Sequence, residues 1–379
     1  MRVLYDYQTF YMHKFGGISN CFVQLIKNFP KEVEWEIAAC ESDNIHLRES
    51  GLVCVGNMRN PPEKFILKKH FKGQVRLYNE YSKFFPLMTS LGRNRLESIE
   101  ALKRGNYDVF HPTFFDGYFL PYLGNKPFVL TVHDMIPELF IGKKDMQVRQ
   151  KPILCEKAAH IVTVSNKTKQ DLIDILDVPP EKISVIYHGA PEYKEISPTP
   201  LVRGKYILFV GNREGYKNFK LMVKAIAPLL KYHSEIKLVC TGVPFTIEEK
   251  KLFLLLGIEN NLIHYCPNDD ELKNLYTYAL CFIYPSLYEG FGIPILEAWQ
   301  ANCPVLLNKK SCFPEIAQDA AIYFTLDDTT SNLLDVMDGF LKMCPEKKEN
   351  LLEKQKKRLS FFSWKKSAVQ LLSIYHSII

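Results

Sequence analysis

Glu289, Gly290, Phe291, Gly292, Ile293, Pro294 and Glu297 lie together in the stretch PSLYEGFGIPILEA, directly after the apolar segment 280–284. Gly290 and Gly292 permit a tight loop whose amides can approach a ligand closely. Pro294 suits the first position of a new helix. Amides gathered where a helix starts favour anions and hydroxyl-rich groups. The two carboxylates flanking that loop can accept hydrogen bonds from sugar hydroxyls. A lone Gly-x-Gly usually shapes a turn, and Glu297 alone could serve only the helix dipole. The complete order of residues is far more specific than either part.

Other groups could act with this loop. Lys217 and Arg213 stand in VGNREGYKNF, 210–219, after another apolar segment. Cations in such a loop neutralise phosphoryl-type charge on a leaving group. Gly16 and Gly17 precede a helical pattern, with Ser19 near its cap, and expose amides to an anion. His133 follows the apolar run 128–132, which puts it at the carboxyl edge of a sheet, with Asp134 holding the loop. His111 also ends a strand and, with Asp116 and Tyr118, is a weaker candidate for bordering an acceptor.

The elements that must position these residues are short strands alternating with helices. Strands are expected at 2–5, 34–39, 108–111, 128–132, 160–164 and 183–187, then at 206–210, 236–240, 262–265, 280–284 and 304–307. Several are continuously apolar, as in a parallel sheet covered on both faces. Helical patterns fall between them, among them 19–28, 95–103 and 166–176, then 218–231, 246–256, 269–278, 294–301 and 329–342. The segment 191–205 carries Pro191, Pro198 and Pro200 without periodicity and reads as a linker. Two doubly wound α/β domains follow from this pattern, and ligands bind at the carboxyl ends of such strands.

Composition narrows the function classes. The chain of 379 residues is 47% hydrophobic and 24% charged, which excludes a disordered or collagen-like chain. No apolar run approaches the ~18 residues of a membrane span, and Asp6 interrupts the first apolar stretch, so 1–10 reads as a strand and not a leader. None of the ten cysteines forms a Cys-x-x-Cys pair, which suits reduced thiols in the cytoplasm. The net charge of +6 is local: 61–104 holds ten basic residues against four acidic ones, mixed with apolar side chains. That mixture suits an anionic membrane surface, whereas nucleic-acid binding would require a wider basic field and a recognisable module. The dinucleotide pattern Gly-x-Gly-x-x-Gly is missing, which argues against a nicotinamide enzyme.

The spacing from Glu289 to Glu297, within EGFGIPILEAWQANCPV, resembles the E-x7-E motif of retaining, nucleotide-sugar-dependent glycosyltransferases of the GT-B type, family 4 in particular. VGNREGYKNF, Gly-Gly-Ile-Ser at 16–19, TVHDMIP, HGAPE at 188–192 and the terminal FSWKKSAVQLLSIY are similar to family segments in the same order.

The resemblance implies two facing Rossmann-like domains: 1–195 for the acceptor, 202–360 for the donor, and a helix in 361–379 returning to the first domain. It implies catalytic roles for His133, Glu289, Lys217 and Arg213, although Tyr216 stands where many members have Arg. Donor contacts would come from Gly16, Gly17, Gly290, Phe291, Gly292, Ile293 and Glu297, with the base held near 265–268. The implied reaction moves a hexose, mannose or glucose-type, from a GDP- or UDP-sugar to a saccharide or lipid-linked saccharide, in bacterial surface polysaccharide synthesis. The expected place is the cytoplasm, at the inner membrane leaflet. No cofactor or metal is expected, since the chain has no Asp-x-Asp. A nucleotide-sugar epimerase, or a non-catalytic sugar-nucleotide binder of the same fold, is the alternative.

Overall fold

The computed structural model describes all residues except 59–61, 63–64, 66–70, 72, 192–198 and 214. Lys64, Lys68, Lys69 and Lys72 of the basic segment and residues 192–198 of the expected linker therefore lie outside the described residues.

The chain forms two units, the first made of Met1–Val164, Thr168–Tyr187 and Trp364–Ile379. Its strands are β1 (Arg2–Asp6), β2 (Glu34–Ala38), β3 (Val109–His111), β4 (Val129–Val132), β5 (His160–Thr163) and β6 (Ile183–Val185). They pair in parallel in the orders β2-β1-β3 and β4-β5-β6, and a parallel bridge between Phe110 and Phe128 joins the two ladders. β3 and β4 are buried along their whole length, as strands covered on both faces must be. The last helix, Trp364–Ser377, packs on helix Gly17–Lys27, so a terminal helix without a following strand finds its partner in the first unit.

The second unit holds Ser165–Lys167 and His188–Ser363. Its strands are β7 (Lys205–Phe209), β8 (Ile236–Thr241), β9 (Leu262–Tyr265), β10 (Cys281–Tyr284), β11 (Val305–Asn308) and β12 (Ile322–Phe324). They form one parallel sheet in the order β12-β11-β10-β7-β8-β9. Chain order reverses between β7 and β10, and a crevice opens at the carboxyl ends of strands at such a switch point. Ile207, Phe209, Phe219, Ile226, Leu238 and Ile283 belong to the core beneath it. Each such side chain contributes about 1.5–3 kcal/mol through burial.

Local chemistry sets the helix starts. Thr246 with Glu249 and Asn268 with Glu271 form reciprocal capping boxes before helices Ile247–Leu256 and Asp269–Tyr278. Several elements were not legible in the sequence pattern, two of the second unit among them. β12 is only three residues long, and helix Pro345–Leu359 buries little besides Leu351 and Gln355, so neither shows a clear period.

Candidate active site

In the second unit the switch point brings two loops together. The loop after β7 carries Lys217 and the loop after β10 carries Glu289. Lys217 Nζ donates to Glu289 Oε1 at 2.7 Å, and the two side chains are 15% and 10% exposed. The Leu287 amide donates to the Tyr216 carbonyl at 2.8 Å and ties the loops at the backbone. The ammonium also lies over the Tyr284 ring, 5.4 Å from its centre. Burial, and then neighbouring Glu289, push the Tyr284 hydroxyl well above its ordinary pKa, so it stays protonated. Glu289 is held at its main chain too: its amide donates to Ser311 Oγ at 3.1 Å, and that hydroxyl donates to the Glu289 carbonyl at 2.8 Å.

The following turn is fixed from several sides. Ser165 Oγ donates to the Gly290 carbonyl at 2.6 Å. The buried Phe291 ring meets the edges of His188 and Phe362. Gly292 has φ +90°, and a Cβ there would sit 3.1 Å from Ile295 Cδ1 and 3.2 Å from Phe313 Cε1. The positive φ favours glycine, and a Cβ would make Ile295 or Phe313 give by a few tenths of an ångström. Helix Ile293–Gln300 starts here, with Pro294 in its first turn. Half-buried Glu297 accepts from the Tyr276 hydroxyl at 3.1 Å. Burial pushes its carboxyl up to about 7, against the lowering effect of Tyr276 and with a smaller rise from Asp269.

Arg213 has different neighbours. Its guanidinium donates to both oxygens of Glu249, at 2.8 and 3.2 Å, and to the carbonyls of Thr241, Val243 and Pro244 at 3.2, 2.6 and 2.9 Å. Its side chain is 1% exposed and lies between the rings of Phe219 and Phe245. The geometry thus corrects the expectation of a cation open to a diphosphate: every guanidinium nitrogen is engaged in anchoring the loop after β8.

In the first unit, Gly16 caps helix Gly17–Lys27 with extended backbone, and Ser19 Oγ donates to its carbonyl at 2.9 Å. Gly17 is exposed, whereas Ser19 in the same turn is buried. His133 follows β4, half-buried, with the edge of Phe22 against its ring. Burial, and then the ammonium of Lys151, push its pKa down to about 4.

The weaker acceptor candidates part company. His111 is fully buried, with Nδ1 2.5 Å from the Tyr375 hydroxyl and Nε2 2.8 Å from Thr131 Oγ1. Burial, and then His133, push it down to about 3, so it is a neutral interior hub and borders no open site. The Tyr118 hydroxyl is buried as well, donating to Asp6 Oδ2 at 3.2 Å and bonded to Ser98 at 2.6 Å. Only Asp116 borders open space, a cavity of about 930 Å³ lined also by Tyr7, Gln8, Met12, Arg95 and Ile99.

Sequence reasoning passed over Asp6 beyond its break in the apolar run. It is fully buried at the end of β1, where it accepts from the Thr113 amide at 2.9 Å, Thr113 Oγ1 at 2.7 Å and Gln8 Nε2 at 2.7 Å. A carboxylate ending an apolar strand was the available signal. Tyr276 and Ser311, which hold Glu297 and Glu289, carried no signal at all.

The model described as Glycosyltransferase Family 4 matches residues 15–192, and that described as Glycosyl transferases group 1 matches 194–358. The chain is 30% identical to the O-antigen chain mannosyltransferase RfbU of Salmonella typhimurium over 56% of its own length and 60% of that protein's. It is 26% identical to the MMP alpha-(1->4)-mannosyltransferase of Mycolicibacterium hassiacum over 75% of this chain and 74% of that one. It spans about three-fifths of the length of the O-antigen relatives RfbU and Escherichia coli mannosyltransferase B. Among solved structures, Anabaena HepE in complex with UDP and glucose superposes with a TM-score of 0.72 at 16% identity, over the full length of both chains. WaaG, a glycosyltransferase involved in lipopolysaccharide biosynthesis, does so with 0.63 at 16% identity, over 99% of both. These two carry the GT-B type of fold onto this chain. With one family description on each unit and the Glu289–Glu297 loop at the switch point, the chain belongs to the group 1, family 4 glycosyltransferases.

Proposed function

We propose that the protein is a retaining hexosyltransferase that moves a hexose from a nucleoside-diphosphate sugar to a saccharide hydroxyl. The observation that carries this reading is the Lys217–Glu289 pair at 2.7 Å over the switch point of the second sheet. A diphosphate leaving the sugar gathers negative charge, and an ammonium already in place stabilises it without reorganisation. Glu289 and the amides from Gly290 to Ile293 would receive the sugar and phosphate, with Glu297 receiving the ribose. Gly16, Gly17 and His133, all in the first unit, are further donor-side residues of this reading. The leaving diphosphate accepts the acceptor's proton as the new bond forms on the same face, so neither glutamate acts as a nucleophile. Asp116 and the cavity beside it are the acceptor side of this reading.

Lys217→Ala should lower turnover by about 100-fold or more, measured as nucleoside diphosphate released. Intact turnover in that variant would sink the assignment. Activity should persist in EDTA, and an absolute Mg²⁺ requirement would contradict the metal-free reading. The donor is read as a GDP- or UDP-hexose, with mannose favoured by the names of the O-antigen relatives. Thermal stabilisation by a panel of nucleotide sugars selects among them, because a ligand at 100 times its Kd adds about 2.7 kcal/mol. Synthesis of a bacterial surface polysaccharide is the setting those names favour.

An anionic membrane is the proposed second partner. Among the described residues no helix is long and apolar enough to cross a membrane. Phe84, Phe85, Leu87 and Met88 are nevertheless 77%, 54%, 70% and 58% exposed, next to Lys83. Apolar tips beside a cation suit the interface of an anionic bilayer. The triple variant K83E/F84S/L87S should bind vesicles containing phosphatidylglycerol more weakly than the native chain. Unchanged binding would remove the membrane from this reading.

A further inference from the structure

Lys151 stands on helix Met146–Lys157 with none of its surface exposed. Its ammonium donates to Glu138 Oε2 at 2.8 Å and to the Asp134 carbonyl at 3.1 Å, and touches Met135 Sδ at 3.7 Å. The Phe115 ring lies under it, 5.0 Å away. All three bonded partners belong to the segment that begins at His133. Asp134 Oδ1 in turn accepts from the Ile136 amide at 2.9 Å, and Pro137–Ile141 winds as a π-helical turn. Such turns are rare and frequently lie at functional sites. One buried cation thus gathers the backbone, the thioether and the carboxylate of a single loop.

This arrangement is costly. Removing an ammonium and a carboxylate from water carries a penalty that their attraction often fails to repay, and apolar residues of similar size usually pack as well. A stability role alone is therefore a weak reason for this pair. What the pair does determine is where the residues after β4 lie, and hence how the His133 ring is held. The Cys21 thiol lies within 4.8 Å of a ring nitrogen of His133, and Phe22 packs edge-on to the ring, so little room remains for the ring to move if the loop holds still.

We propose that Lys151 is a positioning residue for sugar transfer, fixing the loop that carries His133 through Glu138, Asp134 and Met135. Lys151 touches no substrate and acts only through that loop. The inference rests on His133 bracing the donor sugar, as in the proposed function.

The test uses the full chain and the rate of nucleoside diphosphate release from GDP-mannose or UDP-glucose, whichever stabilises the protein more. The paired variant K151M/E138M removes both charges and orphans neither. It should keep the native melting temperature within a few degrees and the donor KM within about threefold, while kcat falls about 10- to 100-fold. H133N should lose activity by itself, and adding K151M/E138M to it should cost little more, because both act through one group. A folded K151M/E138M with native kcat overturns the proposal. So does an additive loss in the H133N background. If H133N alone keeps native kcat, the His133 reading fails instead, and Lys151 is then a structural cation. Should K151M/E138M fail to fold, K151R supplies the answer. It keeps the charge but not the three-point geometry, and native kcat in K151R with native KM would equally overturn the proposal.

Discussion

Glu297 shows how one residue sets function against stability. Its carboxyl is pushed up to about 7 by burial, whereas an ordinary glutamate in an unfolded chain titrates near 4.5. The folded protein therefore binds this proton more tightly than the unfolded one. Stability from that difference is fully present below about pH 4.5 and is lost as pH rises through 7. At about pH 8 the ionised group costs the fold on the order of 3 kcal/mol. E297Q should thus gain up to that much over the native chain at pH 8 and almost nothing at pH 4.5, by denaturant unfolding. If Glu297 receives the ribose, as proposed, the hydroxyls donate better to its ionised form, so nucleotide affinity should rise through pH 7 in the native protein and stay flat in E297Q. A pH-independent difference between the two proteins would discard this account. The motif spacing made Glu297 legible in the sequence. Its protonation was not legible, because Tyr276 and the packing around it come from another helix. Arg213 is the converse case: it stands in the same loop as Lys217, but Glu249, 36 positions later, captures it.

Elements were legible where periodicity and caps agree. Helix Asp269–Tyr278 has the expected bounds because Asn268 and Glu271 cap it reciprocally, and β10 was legible as a continuously apolar run. The loop after β8 was not, because what holds it is the Arg213 side chain at Thr241, Val243 and Pro244. Removing that side chain alone leaves Glu249 buried without its cation. R213M should cost about 3–5 kcal/mol, the usual penalty for breaking a buried pair from one side. R213M/E249Q should recover a clear part of it, because the orphaned charge is gone while the amide still caps Thr246. If Arg213 serves only this loop, kcat per folded molecule should stay within about threefold of native in the double variant. A loss comparable to that of Lys217→Ala would return Arg213 to the diphosphate.

On the scale of the molecule, the first unit is incomplete until the last helix is made. The chain leaves that unit at Tyr187 and returns to it at Trp364. Trp364, Ala368, Leu371, Leu372 and Tyr375 are then buried. Tyr375 binds Tyr5 on β1 at 2.9 Å and His111 on β3 at 2.5 Å, and His111 passes the chain of hydrogen bonds to Thr131 on β4. The sequence showed an unpartnered amphipathic helix but not these bonds, which join positions up to 370 residues apart. Cutting after residue 363 would expose an apolar face and leave His111 and Tyr5 without their partner. That fragment should be insoluble or lack cooperative unfolding, and Y375F should cost about 1–3 kcal/mol, since it leaves buried hydrogen-bonding groups on Tyr5 and His111 without this partner while keeping the ring. The same hub sets the acid limit. His111 and His133 are held down to about 3 and about 4, against an ordinary value of 6.5. Protons therefore bind the unfolded chain first, and the stability present above pH 6.5 is lost as pH falls toward 4. Unfolding free energy measured from pH 7 to 5 should fall steadily in the native protein and less steeply in H133N. Equal slopes in the two would show that His133 takes up its proton without opposing the fold.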